Sequence, residues 1–315
     1  MPRKKKQIEE PILSKLNEKE PPLPIDENTG RIRNFYEKMP SHFLDKVENP
    51  NFNLHKLKIP MRMCIVAPSG SGKTNFLVNL IELFSRGDGS FQTITILTRN
   101  KDEPLYRWIS SISEQIIIKE GLSNSPPLDK FDKNYNHLVV WDDLVLSKNL
   151  EKVEEYYIRA RKLNVSVIFL SQSYFHIPIL IRKNCSYMVL LKLSGQREVN
   201  VILSDFGLGV NKEELLAIYE YATREKLQPL VIDLEAQPAD RFRKGLTEII
   251  DHRRLMEDFN NNLQQKESFE NNHTENNYTE NNHNEKIMCE CGAEILPRNM
   301  QKHLQSKKHQ KYLET

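Results

Sequence analysis

Met61-Arg62-Met63-Cys64-Ile65-Val66-Ala67-Pro68-Ser69-Gly70-Ser71-Gly72-Lys73-Thr74 is the stretch that decides the fold. An apolar run ends in a Gly-rich turn, and an amphipathic stretch, Asn75 to Phe84, follows. That is the strand, turn and helix context of a phosphate-binding P-loop. In such a turn, backbone N–H groups wrap the β-phosphate, and the helix directs its positive N-terminal end at the same oxygens. Lys73 then reaches the β- and γ-phosphates, and the Thr74 hydroxyl ligates Mg²⁺. Ala67, Ser69, Gly70, Ser71 and Gly72 complete the expected nucleotide-binding set. Ala67 stands where the GxxxxGK[ST] pattern has its first glycine. Alanine is the smallest substitute that fits a tight turn, and Gly70 and Gly72 still permit close backbone approach. An ordinary Gly/Ser turn before a helix is the bland alternative; it leaves the coincidence of strand, Gly72-Lys73-Thr74 and helix unexplained.

The 315 residues allow one α/β domain of about two hundred residues plus appendages. A formal net charge of +2 gives no global field that would announce nucleic acid. Basic residues are instead clustered at Pro2-Arg3-Lys4-Lys5-Lys6, at Arg159, Arg161 and Lys162, and in residues 286–315. Such runs suit phosphate contacts, and equally a solvated surface. No stretch approaches the ~20 apolar residues of a membrane span, so no span is expected. Nor does the charged, Pro-containing N-terminus read as a secretory signal. Cys64 and Cys185 lie in apolar runs and read as core thiols, whereas Cys289 and Cys291 read as metal ligands in a reducing compartment.

Residues 1–58 are charged and Pro-containing and read as an arm, with a short helix around Ile32 to Lys38. Residues 59–258 read as the ATPase domain. Its strands are expected at Arg62 to Val66, Thr93 to Thr98, Gln115 to Ile118, His137 to Trp141, Val165 to Leu170, Tyr187 to Leu193 and Pro229 to Asp233. Helices are expected over Pro104 to Ser111, Asn149 to Leu163, Pro178 to Asn184, Gln196 to Phe206 and Lys212 to Thr223. Short Val, Ile and Leu runs without alternation are buried on both faces, and their alternation with helices implies a mostly parallel sheet flanked by helices. Residues 259–285 carry three copies of one polar five-residue unit, beginning at Glu270, Glu275 and Glu280, and read as a flexible linker.

His137-Leu138-Val139-Val140-Trp141-Asp142-Asp143 has the form of a Walker B strand, with Asp142 for Mg²⁺ and Asp143 to polarise the attacking water. The two strands between P-loop and Walker B leave room for one inserted between them, which indicates a RecA-like P-loop ATPase with an acidic catalytic residue. Gln172 ends the next apolar strand, where ligands of parallel sheets gather, and is placed to face the γ-phosphate. Arg161 and Arg182 flank that strand and are the candidates for an arginine finger supplied to a neighbouring subunit.

Arg159-Ala160-Arg161-Lys162-Leu163-Asn164, the strand to Ser171-Gln172-Ser173-Tyr174-Phe175, Ile177-Pro178 and Ile181-Arg182-Lys183-Asn184-Cys185 form a block that resembles the poxvirus-type DNA-packaging ATPases. These belong to the FtsK/HerA superfamily of large DNA viruses, virophages and Maverick-type elements. The P-loop, the segment Ile96 to Tyr106 and Trp141-Asp142-Asp143 precede the block in that family's order, so the resemblance covers about residues 58 to 235. It implies a ring, pentameric or hexameric, that hydrolyses ATP with Mg²⁺ to pump double-stranded DNA into a preformed capsid. It also implies Gln172 as sensor, Arg161 as the favoured finger, capsid proteins as partners, and a viral protein at a cytoplasmic assembly site or on the virion. Asp143 stands where many relatives carry Glu. A cellular HerA-like repair translocase and a nucleotide-dependent switch without motor activity are the alternatives.

At the C-terminus, residues 286–315 place Cys289, Cys291, His303 and His309 in the order of a Cys₂His₂ zinc site. Gly292 permits a tight knuckle, and Pro297 opens a helix for the histidines. The cysteines are one residue apart rather than two to four, and histidines six apart do not share a helical face. A basic tail without metal is the alternative.

Overall fold

The computed structural model describes residues 34–37, 39–40, 43, 48–144, 150–251, 253–257, 286–289, 292–296 and 299–305. The basic cluster at residues 2–6, the polar repeats, Cys291, Pro297 and His309 lie outside them. The chain divides into residues 1–46 and 47–315. In the first unit, Phe35–Glu37 forms a single 3₁₀ turn with exposed Phe35 and Tyr36.

The second unit is built on a nine-stranded sheet. Its strands are β1 (Arg62–Val66), β2 (Thr93–Thr98), β3 (Ile116–Glu120), β4 (His137–Asp142), β5 (Val165–Ser171), β6 (Tyr187–Leu190), β7 (Leu230–Asp233), β8 (Phe242–Lys244) and β9 (Glu248–Ile249), in the order β3-β2-β4-β5-β1-β6-β7-β8-β9. The run from β3 to β6 is parallel. Strands β7, β8 and β9 extend it antiparallel, so the sheet is mixed.

Every residue of β4 and β5 is buried. Because successive side chains point to opposite faces, these strands feed two apolar clusters. Val139, Trp141, Val167 and Phe169 lie in one, Leu138, Val140, Ile168 and Leu170 in the other. After the short α1 (Phe52–His55), the second cluster is covered by α2 (Lys73–Phe84), through Phe76, Leu77, Leu80, Ile81 and Phe84, and by α3 (Pro104–Ile112), through Tyr106 and Ile109. The first is covered by α4 (Glu151–Arg159), α5 (Ile179–Lys183), α6 (Gln196–Phe206) and α7 (Lys212–Ala222). Truncating a large side chain in such a core typically costs about 3–5 kcal/mol.

Besides the added strands β8 and β9, three features differ from the sequence reading. The strand inserted between the P-loop strand and the Walker B strand is β5, whereas β2 and β3 lie on the far side of β4. The helix expected to run to Leu163 is α-helical only to Arg159; Ala160–Leu163 tightens to 3₁₀, and Asn164 ends it at a left-handed φ of 54°. Third, the expected arm contributes to the core. Asn51, His55 and Leu57 are buried, and Asn51 Nδ2 donates to the Phe84 and Arg86 carbonyls, 3.2 and 2.8 Å away, at the open end of α2. His55 stacks edge-on to Phe84 with ring centroids 4.8 Å apart. Burial, and secondarily the charge of Arg243, pushes its imidazole down to about 4, so it packs as a neutral ring. Among the described residues no helix is long and apolar enough to cross a membrane.

Candidate nucleotide site

Strand β1 delivers the chain to residues 67–72 and α2 carries it away. Gly70 and Gly72 take left-handed φ values of 73° and 97°, which turn successive N–H groups into the concavity that binds anions. The left-handed φ is what requires glycine at position 72; a Cβ there would stand 2.2 Å from Leu227 Cδ2, the tip of an exposed side chain that can turn aside. Ala67 is outside the left-handed region and fully buried among the apolar residues under α2, so nothing in the backbone demands glycine there. The Ser71 hydroxyl braces the turn by donating to the Pro68 carbonyl at 2.6 Å. Lys73, 6% exposed, donates from Nζ to the Ala67 and Pro68 carbonyls at 3.0 and 3.3 Å.

Register brings the remaining groups together. Asp142 on β4 pairs with Leu170 on β5, and Val66 on β1 pairs with Ser171, so the three strands end level with one another. Ligands of parallel sheets collect at such carboxyl ends. Asp143 Oδ1 lies 4.0 Å from Lys73 Nζ, and Gln172 Nε2 donates to Asp143 Oδ2 at 2.8 Å. Asp143 adopts φ 52°, which turns its carboxylate off the strand axis. Asp142 is 4% exposed, and burial pushes its carboxyl up to about 6. A hydrogen bond from Tyr106 and the charge of Lys73 oppose the rise, while Asp143 and Glu103 add to it. Asp142 Oδ1 and Asp143 Oδ1 are buried with no hydrogen-bond partner among the described residues. Two such oxygens beside a Thr hydroxyl form a donor set that fits a hard divalent cation.

Two groups in the site were not singled out in the sequence. Tyr106 on α3 is fully buried and donates from its hydroxyl to Asp142 Oδ2. Glu103, the residue preceding α3, has its carboxyl raised by burial first and by Asp143 second, with Lys73 opposing. Both follow β2, the strand beside β4, so the carboxyl-end rule applied to β2 would have found them. On α6, Glu198 accepts from Ser173 Oγ at 2.8 Å and from the Tyr174 N–H at 2.6 Å, and so fixes the loop that presents Gln172.

The arginines lie apart from this cluster. Arg161 sits at the amino end of β5, 3.6 Å from Glu235, which is also 3.8 Å from Arg62 at the start of β1. It is therefore at the opposite end of the sheet from its own P-loop. Arg182 lies in the last turn of α5 with its guanidinium 4.4 Å from the centre of the Tyr174 ring. The four zinc ligands expected from the sequence are only half described. Ile287–Met288 and Glu294–Ile295 pair as an antiparallel hairpin around Cys289 and Gly292, and His303 follows on helix Met300–Leu304. The Gly292 N–H donates to the Cys289 carbonyl at 2.7 Å with Gly292 at φ 81°.

Residues 49–234 match the family described as Poxvirus A32 protein. The DNA packaging protein OPG160 of Monkeypox virus is 29% identical over 194 residues, which are 57% of this chain and 63% of that protein. Its counterpart in Vaccinia virus (strain Copenhagen) is also 29% identical, over 57% of this chain and 70% of its own length. Among solved structures, the genome packaging NTPase B204 from Sulfolobus turreted icosahedral virus 2, in complex with ATP-gammaS, aligns at 12% identity with a TM-score of 0.43. That alignment covers 57% of this chain and 96% of B204. EssC (ATPases 2 and 3) from Geobacillus thermodenitrificans aligns at 11% identity and a TM-score of 0.42, over 67% of this chain and 45% of EssC. With the family match spanning more than half of its length, the chain belongs to the poxvirus A32 protein family.

Proposed function

We propose that this chain is an ATP-driven motor that moves double-stranded DNA into a preformed viral capsid, working as a homo-oligomeric ring at the site of virus assembly. The observation that carries the reading is the convergence of Lys73, Asp142, Asp143 and Gln172 at the level ends of β1, β4 and β5. The packaging role is supported by the printed name of the poxvirus relatives, which share 29% identity with this chain.

In this reading the turn at residues 67–72 holds the phosphates through its N–H groups, and Lys73 exchanges its two loop carbonyls for the β- and γ-phosphate oxygens. Thr74 and Asp142 hold Mg²⁺, which when bound neutralises charge on the phosphates. Asp143 accepts the proton of the attacking water, and Gln172, already bonded to Asp143, orients that water. An arginine from a neighbouring subunit stabilises the charge that develops on the transferred group; Arg161, far from its own P-loop, and Arg182 are the candidates. DNA contacts are to the backbone, hence independent of sequence and weakened by salt.

The test is ATP hydrolysis by the full chain with and without double-stranded DNA, measured alongside mass in solution. Hydrolysis stimulated by DNA in a ring-sized species is expected. A monomer whose turnover ignores DNA would overturn the motor, and nucleotide binding without any turnover would leave a nucleotide switch.

The C-terminal residues add a zinc module to the proposal. A hairpin with a tight Gly292 turn at Cys289, followed by a helix bearing His303, supports a Cys₂His₂ site completed by Cys291 and His309. Elemental analysis of the full chain purified without chelator is expected to show near-stoichiometric zinc, reduced in Cys289→Ser. Zinc-free protein would refute the module.

A further inference from the structure

Tyr106 reads in sequence as one more apolar contact of an amphipathic helix, and its ring does pack among the buried residues beneath α2 and α3. Its hydroxyl, however, ends in the nucleotide site. It donates to Asp142 Oδ2, and the Thr74 side chain lies near enough to act on it. A single hydroxyl, from a helix belonging to neither element, thus reaches the Walker B acid beside the last residue of the Gly-Lys-Thr triplet. The other oxygen of Asp142 has no partner among the described residues. One turn earlier, Glu103 lies in the electrostatic field of both Lys73 and Asp143.

We propose that Tyr106 is a positioning residue: its hydroxyl holds Asp142 by Oδ2, leaving Asp142 Oδ1 without a partner among the described residues, and so sets how well a divalent cation tightens nucleotide binding. The proposal rests on the nucleotide reading above. Its physical basis is general, because a group that orients a metal-binding carboxylate governs metal affinity, typically by 10- to 100-fold. A purely structural tyrosine would contribute packing alone, which phenylalanine supplies as well.

Binding of a fluorescent ATP analogue to the full chain, by anisotropy, separates the possibilities when Mg²⁺ is titrated and when EDTA replaces it. For Tyr106→Phe, affinity in EDTA should stay within about twofold of wild type. The Mg²⁺ concentration needed for half of the tightening should rise about tenfold. Superimposable Mg²⁺ titrations of wild type and Tyr106→Phe would overturn the proposal. Wild-type binding that ignores Mg²⁺, or no wild-type binding, would instead defeat the underlying nucleotide reading. Should Tyr106→Phe not fold by thermal melting, 4-fluorophenylalanine at position 106 keeps the ring and fills the place of the hydroxyl without its donor, and a wild-type Mg²⁺ requirement in that protein would equally count against the proposal.

Discussion

Lys73→Ala is expected to abolish measurable ATP turnover: loss of one preorganised donor aimed at developing charge is worth about 10²–10³ in rate. Nucleotide binding weakens as well, because a charge-assisted hydrogen bond contributes about 1.5–3 kcal/mol, or one to two powers of ten in affinity. The structure shows why the loss is not compensated locally. Lys73 is buried at the foot of the loop, its ammonium meets only the Ala67 and Pro68 carbonyls and the more distant Asp143, and no second lysine or arginine is paired with these groups among the described residues. The Pro68 carbonyl keeps its bonds from the Ser71 N–H and hydroxyl, and only the Ala67 carbonyl loses a partner, so the variant should fold. Circular dichroism with equilibrium nucleotide binding checks the point, and wild-type turnover in Lys73→Ala would remove the lysine from the mechanism.

Asp143→Asn is the sharper experiment, because it separates chemistry from binding. Asparagine tolerates the left-handed backbone at this position, and its carbonyl still accepts from Gln172 Nε2. What disappears is a carboxylate able to take a proton, and general-base catalysis is worth about 10²–10⁴ in rate. Single-turnover hydrolysis should fall by that factor, while affinity for the nucleotide and DNA stays near wild type. A variant that loses binding and turnover in parallel would show Asp143 to be a ligand of the phosphates or their cation instead of the base.

The site was legible wherever its chemistry is local in sequence. Strand, Gly-rich turn and helix occupy one continuous segment, and Asp142, Asp143 and Gln172 each end an apolar run, so their approach to Lys73 follows from the carboxyl-end rule before any neighbour is known. Order across the sheet is a different matter. That β5 comes between β1 and β4 depends on pairings separated by a hundred residues, which no window of sequence contains. Tyr106 escaped for a related reason: an aromatic residue on the buried face of a helix looks the same whether its hydroxyl meets water, a carbonyl or a buried carboxylate such as Asp142. Strands β8 and β9 are three and two residues long, with Arg243 and Lys244 among them, too short and too charged to show a period. Asn51 and His55 looked like arm residues because their burial comes from packing on the far end of α2, outside their own segment.

The left-handed backbone at Asp143 also bears on how this position drifts over time. At φ 52° the favourable residues are glycine, asparagine and aspartate, whose short side chains bond locally and escape the clash that penalises longer ones by roughly 1–2 kcal/mol. Only one of those three is an acid. Trading it for glutamate at this turn would therefore carry that penalty, of the kind Lys56, Leu208 and Leu227 already carry elsewhere in the chain, while leaving the carboxylate's reach changed.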